Sequence, residues 1–228
     1  FTIAKKLGHK ILPAYPALVP LNSADHKLRA LSGLKMPISW RAMLHQKVVG
    51  QGKGELEITE TGFKGSAVLD ASHYVVRDKA EVFISWGGFT REDWIPYLKA
   101  RTRQALVKAI SPEIPLELLQ LLFDQGGLRG EMRTGLLDRG TSETLLNLLC
   151  DFRLPVSSAC GFKHAGVSGG GVPLKEVNPS TLESRLCPGL FLCGELLDVF
   201  GPSGGYNLHW AFLTGRLAGE SACKSFVT

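Results

Sequence analysis

The sequence predicts an α+β, multi-domain chain: an antiparallel β-rich block, a small helical block, then a strand–loop–helix unit. Three observations carry this. Between Gly33 and Trp86 short apolar runs alternate with Gly and Lys, the pattern of half-buried strands and hairpins. Between residues 91 and 150 apolar side chains recur at helical spacing. Ten of the 26 glycines fall in positions 161–205, without collagen-like period, which marks backbone in close approach to something.

Composition narrows the classes. With 44% hydrophobic and 21% charged residues, the chain of 228 is neither wholly disordered nor too small for a sizeable core. No apolar run approaches the ~20 residues a membrane span needs. The 26 basic residues exceed the 21 acidic ones by five, but they are scattered, the densest runs being Lys5-Lys6 and Lys99–Arg103. They read as a solvated face, so neither a nucleic acid nor a membrane is expected as partner. Five cysteines (Cys150, Cys160, Cys187, Cys193, Cys223) form no CxxC pair. Neither a disulfide framework nor a zinc site is expected, and a reducing cytoplasm fits. His9, His26, His45, His73 and His164 lack ligand spacing, and no metal is expected.

Ile3, Ala4 and Leu7, closed by Gly8, predict the tail of a helix with its C-cap, so the chain reads as a fragment of a longer protein. Residues 11–22 carry three prolines and are extended. Antiparallel strands are expected from Gly33 to Ile58, a short helix over 65–73, and a strand at Val82–Trp86. Trp94, Leu98, Thr102, Ala105, Leu106 and Ala109 predict one amphipathic helix. Pro115 opens a second helix, and Thr141-Ser142-Glu143 caps a third. Leu154–Ser158 reads as a strand. Pro188–Cys193 reads as a buried strand ending at Gly194-Glu195, and the loop Gly201–Tyr206 leads into a helix from Asn207 to about Lys224.

That last unit is the sharpest feature. A buried strand delivers Glu195 and Asp198 at its carboxyl end, and a glycine loop (Gly201, Gly204, Gly205) then opens a helix with bare N–H groups. A carboxylate for a sugar hydroxyl, plus N–H donors for electron-rich oxygen, suits a nucleotide-type cofactor. The same loop also reads as a tight turn before a capped helix. Ala211, Gly215 and Gly219 form a small-residue stripe along that helix, which calls for another backbone close by. Gly166-Val-Ser168-Gly-Gly170 matches G-x-S-x-G, with Asp198 and His209 following in hydrolase order. A nucleophile elbow, however, must turn directly into a helix, and Gly171-Val172-Pro173 is extended.

The run from Val167 through Asp198, with its continuation through Gly204-Gly205-Tyr206-Asn207 to Gly219, resembles the bacterial flavoproteins known as BaiN-like or aminoacetone-oxidase-like. Pro16–Leu21 is similar too. The chain departs from the family at Thr59–Ser66, where Thr-His-x-Gly-Ile-Ser-Gly-Pro is usual, and at Ser168-Gly169, where Thr-Ala is usual. The resemblance implies a Rossmann-like FAD domain built from both ends of a longer protein and lacking its N-terminal GxGxxG half. It implies four segments: residues 1–20 as domain tail and linker, 21–90 as a β-barrel-like insert, 91–151 as a helical insert, and 152–228 as the C-terminal part of the FAD domain. It implies FAD as cofactor, NAD(P)H as candidate electron donor, a small-molecule substrate, and the dinucleotide-binding half as partner. Gly194-Glu195 would lie by the ribityl-pyrophosphate, and Gly204, Gly205, Tyr206 and Asn207 by the flavin pyrimidine edge. The Ser168–Val172 turn, with Gly170 and Gly171, would pass the isoalloxazine. The leading expectation is therefore the C-terminal part of an FAD-dependent oxidoreductase, inactive by itself. The alternatives are a binding or scaffold module without cofactor and, remotely, a serine hydrolase through Ser168.

Overall fold

The computed structural model describes residues 1–225. In chain order its strands and helices are α1 (Thr2–Lys6), β1 (Leu12–Ala17), β2 (Leu21–Asn22), α2 (His26–Arg29), β3 (Lys35–Leu44), β4 (Lys47–Ile58), β5 (Gly62–Lys64), α3 (Ser66–Asp78), β6 (Glu81–Trp86), α4 (Arg91–Lys99), α5 (Leu106–Ile110), α6 (Leu116–Gly126), α7 (Arg139–Cys150), β7 (Phe152–Arg153), β8 (Ser158–Ala159), β9 (Val167–Gly171) and α8 (Tyr206–Ser225). The chain divides into two compact units. One holds residues 1–19 with 160–228, its last three positions lying outside the described residues, and the other holds 20–159.

The 20–159 unit is a seven-stranded antiparallel sheet, in the order β7-β6-β3-β4-β5-β2-β8, with α3 and α7 packed on it and the other helices packed on α7 and one another. Its spine is the β3–β4 hairpin, in register from Lys35↔Glu57 to Leu44↔Lys47. His45 and Gln46 close it with φ of +47° and +65°, the two left-handed residues a two-residue hairpin turn requires. Met36, Ile38, Trp40 and Ala42 alternate inward along β3. Opposite them, on the same face, stand Gly54, Gly52 and Gly50 of β4. A Cβ at Gly50 would stand inside the Tyr74 ring, at Gly52 2.9 Å from the Trp40 indole nitrogen, and at Gly54 2.6 Å from Ser66 Oγ. These glycines, far from cradling a ligand, let α3 and the Trp40–Tyr74 pair lie directly on the sheet.

The sheet is curled. Six spacings of ~4.8 Å would separate the edge strands of a flat sheet by ~29 Å. Arg153 of β7 and Ser158 of β8, however, are five residues apart, a reach of at most ~18 Å. The connection is bonded at both ends: Leu154 N–H to Val82 O (2.8 Å) and Ser157 N–H to Asn22 O (2.9 Å). Leu154–Ser158, read from sequence as a strand, is mostly the connection between the two edges of this sheet, β7 and β8. Pro155 between them supplies no N–H for a ladder.

The helices share the sheet's core. Thirty-one buried residues form one cluster, running from Ile38, Trp40 and Trp86 to Trp94, Ile110, Leu118 and Leu149. The single helix expected over Trp94–Ala109 is two, α4 and α5. Pro96 removes one bond inside α4, and the carbonyls of Thr102 and Gln104 are taken instead by the N–H groups of Gly135 (3.1 Å) and Thr134 (3.2 Å). Thr90 caps α4 with a capping box to Asp93, and Asp138, rather than Thr141, caps α7.

The other unit is sparer. β1 and β9 pair antiparallel, from Leu12↔Gly171 to Ala17↔Val167. Only seven buried residues (Ala4, Val172, Val177, Leu182, Leu192, Leu197, Ala218) form its described core cluster. The strand expected over 188–193 is reduced to one bridge, Glu183↔Phe191, because the Pro188-Gly189 turn and the turn at Gly194 leave too few residues between them for a ladder. Among the described residues the one parallel pairing is the bridge Val172↔Leu197.

The glycine face of β4 yields a stability prediction. Gly50→Val is expected to destabilise the 20–159 unit by about 1–3 kcal/mol through overpacking against Tyr74. Urea unfolding followed by tryptophan fluorescence measures it, and an unchanged midpoint contradicts the close-packed face.

Candidate functional site

The glycines of β9 are held by the unit's own backbone. A Cβ at Gly169 would overlap the Tyr15 ring, one at Gly170 the Pro13 carbonyl, and one at Gly171 the Leu196 carbonyl. Gly170 and Gly171, expected beside a cofactor, therefore approach protein closely. β9 is wedged between β1 and the 3-10 turn Gly194–Leu196. Val172 N–H bonds Leu196 O (2.8 Å) and Asp198 N–H bonds Val172 O (2.8 Å), which fixes the end of the 194–198 segment against the end of β9.

Helix α8 holds this turn from its other side. The Gly194 N–H donates to Thr214 Oγ1 (2.9 Å), and Trp210 Nε1 donates to Gly194 O (3.2 Å). The Thr214 hydroxyl in turn donates to Trp210 O (2.6 Å). Both backbone groups of Gly194 are thus satisfied by side chains one turn apart on α8, and its φ of +66° is one that glycine adopts without strain. Glu195, next along, faces β9: its carboxylate accepts the Ser168 N–H. That oxygen is engaged within the unit, while the rest of this exposed side chain borders a small notch.

The notch, about 140 Å³, is lined by Gly166, Val167, Glu195, Val199, Asn207, Leu208, Trp210 and Ala211. Its volume falls below the ~300–1,000 Å³ of a small-molecule pocket, so within this unit the notch does not enclose a cofactor. Asn207 closes the preceding loop, accepting from Gly201 N–H (2.9 Å) and donating to Gly201 O (2.7 Å). Gly204 and Gly205, at φ of +104° and +92°, bring the chain into α8. No atom lies within 4 Å of a Cβ position at Gly205. The first-turn N–H groups of the 20-residue α8 have no intrahelical acceptor. Open space at a left-handed glycine, first-turn donors and the positive end of a long helix together fit an electron-rich, partly anionic group such as the flavin edge. Tyr206 is 62% exposed beside it.

Ser168 lies within β9, paired with Pro16, and β9 runs on into an extended segment and a 3-10 turn. It has none of the strand-to-helix geometry of a nucleophile elbow. Sequence reasoning missed another arrangement. Buried His9 sets Nδ1 2.9 Å from Glu176 Oε2 and Nε2 2.9 Å from Ser184 Oγ. The trio has the outline of a hydrolase triad, but Ser184 Oγ already accepts the N–H groups of Leu186 (3.1 Å) and Cys187 (2.8 Å) and is buried. It ties the N-terminal segment to the 174–187 loop. Only a pairing 167 residues long in sequence produces it, so no local signal could reveal it.

A second cavity, about 310 Å³, belongs to the 20–159 unit and is lined by Arg41, Ser85, Arg91, Cys150 and Asp151 among others. Asp151 bridges Arg41 and Arg91, and Arg91 also meets Glu143 at 2.9 Å. Burial pushes the Cys150 thiol up to about 11, which removes it as a nucleophile near neutral pH. This cluster pins the end of α7 to the start of α4. Among the described residues no group of three or more His, Cys, Asp or Glu could hold a metal ion, and no helix is long and apolar enough to cross a membrane.

Residues 1–221 match the family model described as the HI0933-like protein Rossmann domain. The chain is 32% identical to a 3-dehydro-bile acid delta(4,6)-reductase of Clostridium scindens, a match covering 98% of this chain and 57% of that protein. It is 28% identical to a ribosomal RNA dihydrouridine synthase of Haemophilus influenzae, over 93% of this chain and 52% of the relative. The Escherichia coli protein of that name is 29% identical, over 93% and 53%. The chain thus spans about half the length of the curated relatives it matches.

Two outcomes follow from this geometry. Thr214→Val keeps the shape but leaves the buried Gly194 N–H unpaired, which is expected to cost about 1–3 kcal/mol, read by urea unfolding of the α8 signal from Trp210. A stability equal to that of the parent contradicts the clamp. At pH 8 a thiol reagent is expected to label Cys223 and the three half-buried cysteines before Cys150. Fast labelling of Cys150 contradicts its burial.

Proposed function

The chain belongs to the HI0933-like family, and from that premise we propose that it is the C-terminal part of an FAD-dependent oxidoreductase. It completes one wall of the flavin site and carries the 20–159 unit as an inserted domain. The observation that carries this reading is α8. Its N-terminus presents free N–H groups beside open glycines, and its flank is bare: Leu208, Phe212 and Leu213 are 68%, 77% and 53% exposed. Covering such side chains fully is worth roughly 1.5–3 kcal/mol each, so the helix is suited to a covering module. Gly215 and Gly219 leave empty space that a second backbone can enter. The module proposed is the dinucleotide-binding half, which would supply the adenine side of the site.

When bound and first reduced by a two-electron donor such as NAD(P)H, the flavin would supply a hydride to an oxidised substrate, in keeping with the relative named a delta(4,6)-reductase. The residues of this chain hold and orient. The α8 N-terminus stabilises negative charge on the pyrimidine edge, through Gly204, Gly205, Tyr206 and the loop that Asn207 closes. The turn at Gly194-Glu195, held by Thr214 and Trp210, borders the ribityl-pyrophosphate side with Asp198. Gly170 and Gly171 act indirectly, packing β9 onto the Pro13 and Leu196 backbone and so fixing its position. NAD(P)H as electron donor and the cytoplasm as location, in keeping with five free cysteines, complete the proposal.

Gly215→Leu separates docking from folding. It adds a good helix former in open space, so the chain's own stability should hold or rise by up to about 1 kcal/mol. Mixed with the dinucleotide-binding half and excess FAD, the parent chain is expected to yield a flavin-coloured complex after gel filtration. The variant should retain at least about tenfold less flavin, about 1.4 kcal/mol. A colourless parent mixture, or equal flavin in both, contradicts the reading.

A further inference from the structure

The cavity of about 310 Å³ on the 20–159 unit has a floor of two cross-strand pairs, Ser39↔Ser85 and Arg41↔Phe83, between β3 and β6. On β3 these outward residues alternate with the inward Ile38, Trp40 and Ala42. Gly87 and Gly88, at φ of +70° and +76°, then turn the chain back from β6 into α4. That turn brings Phe89 and Glu92 to the cavity, and the end of α7 closes it with Cys150 and Asp151.

Most polar groups of this lining are engaged with one another or with their own elements. The Ser85 hydroxyl donates to Phe89 O, and Thr90 forms the capping box with Asp93. Arg91 uses all three guanidinium nitrogens: Nη1 meets Glu143 (2.9 Å), Nη2 donates to Asn147 Oδ1, and Nε faces Asp151 (3.5 Å). Two groups remain open. Arg41 uses only Nη2, on Asp151, so its Nε and Nη1 make no hydrogen bond among the described residues. The exposed Glu92 carboxylate likewise has no partner among the described residues, and no ion pair joins it to Arg41. The four charged side chains of the lining, Arg41, Arg91, Glu92 and Asp151, sum to zero. The cavity therefore offers one open cation, one open anion and the partly buried rings of Phe83 and Phe89.

We propose that this cavity binds a free α-amino acid with an apolar side chain. The ligand's carboxylate accepts from Arg41, its ammonium donates to Glu92, and its side chain lies against Phe83 and Phe89. A carboxylate alone would add negative charge to a neutral lining that already holds Glu92 and Asp151. An amine alone would leave the Arg41 donors without an acceptor. A zwitterion answers both open groups and leaves the charge balance unchanged. Volume agrees, since about 310 Å³ stands at the lower end of the ~300–1,000 Å³ of small-molecule pockets and suits a molecule of amino-acid size. Asp151, which bridges the two arginines, acts as a positioning residue that holds Arg41 over the floor. The proposal stands on the 20–159 unit by itself and does not depend on flavin.

Isothermal titration calorimetry of the whole chain tests it, with L-phenylalanine, phenylpropionate and phenethylamine as ligands. L-Phenylalanine is expected to bind saturably, and the two analogues, each lacking one charge, at least about tenfold more weakly. Glu92→Gln should weaken L-phenylalanine about tenfold or more and leave phenylpropionate no weaker, whereas Arg41→Met should weaken both. Glu117→Gln, the same change in the first turn of α6, should leave every affinity within error. Circular dichroism checks that each variant is folded, and the exposed Glu92→Gln change decides the matter should Arg41→Met fail to fold. No saturable heat with L-phenylalanine up to about 10 mM overturns the proposal, as do equal affinities for the three ligands. An equal loss in Glu92→Gln and Glu117→Gln also overturns it. The titration contains no flavin, so its failure and that of the flavin-capture experiment are told apart.

Discussion

The candidate site depends on the way α8 holds Gly194. One residue in a left-handed conformation has both of its backbone polar groups satisfied by Thr214 and Trp210, and Gly194 is itself buried. Unpaired in that position, either group would cost about 1–3 kcal/mol, a large fraction of the stability of so small a unit. With Gly194 fixed, Glu195 points at β9 and takes the Ser168 N–H, while Val172 pairs with Leu197. Because the same helix supplies the clamp and the open N-terminus, the turn and the first-turn donors keep a fixed spacing. A site built this way is set by a long helix and two side chains rather than by a loop.

The two units solve the burial problem differently. The 20–159 unit has one continuous core that joins a curled sheet to its helices, and its β4 glycines allow that packing. The unit of residues 1–19 and 160–228 has a small core cluster and a 20-residue helix whose buried side chains are Thr214 and Ala218. An exposed row of Leu208, Phe212 and Leu213 is a larger apolar commitment than a solvent-facing helix normally makes. That imbalance, more than any single residue, underlies the reading of this unit as one wall of a composite cofactor site.

Local patterns in the sequence identified much of this. Alternation found β3, β4 and β6, helical spacing found α6 and α7, and the glycine loop before Asn207 located the start of α8 to within one residue. Non-local bonding explains what was missed. The 94–109 periodicity breaks because Thr102 and Gln104 give their carbonyls to a segment 30 residues away. The 188–193 run looks like a strand by composition, yet turns on both sides limit it to one bridge. At the site, Glu195 and the Gly204-Gly205 turn could be picked out by residue type. Asn207 is locked to Gly201, and Gly170 and Gly171 pack on backbone, roles that only three-dimensional neighbours define.

If, as proposed, the bare flank of α8 is the interface that completes the site, a covering module must shield it. Hydroxyl-radical footprinting of the chain alone and after mixing with the family's dinucleotide-binding half and FAD tests it most directly. Strong protection of Leu208, Phe212 and Leu213 is expected on mixing, with Ile95 and Leu136 of the other unit unchanged as exposed references. Oxidation of the α8 side chains at the same rate in both samples would contradict it.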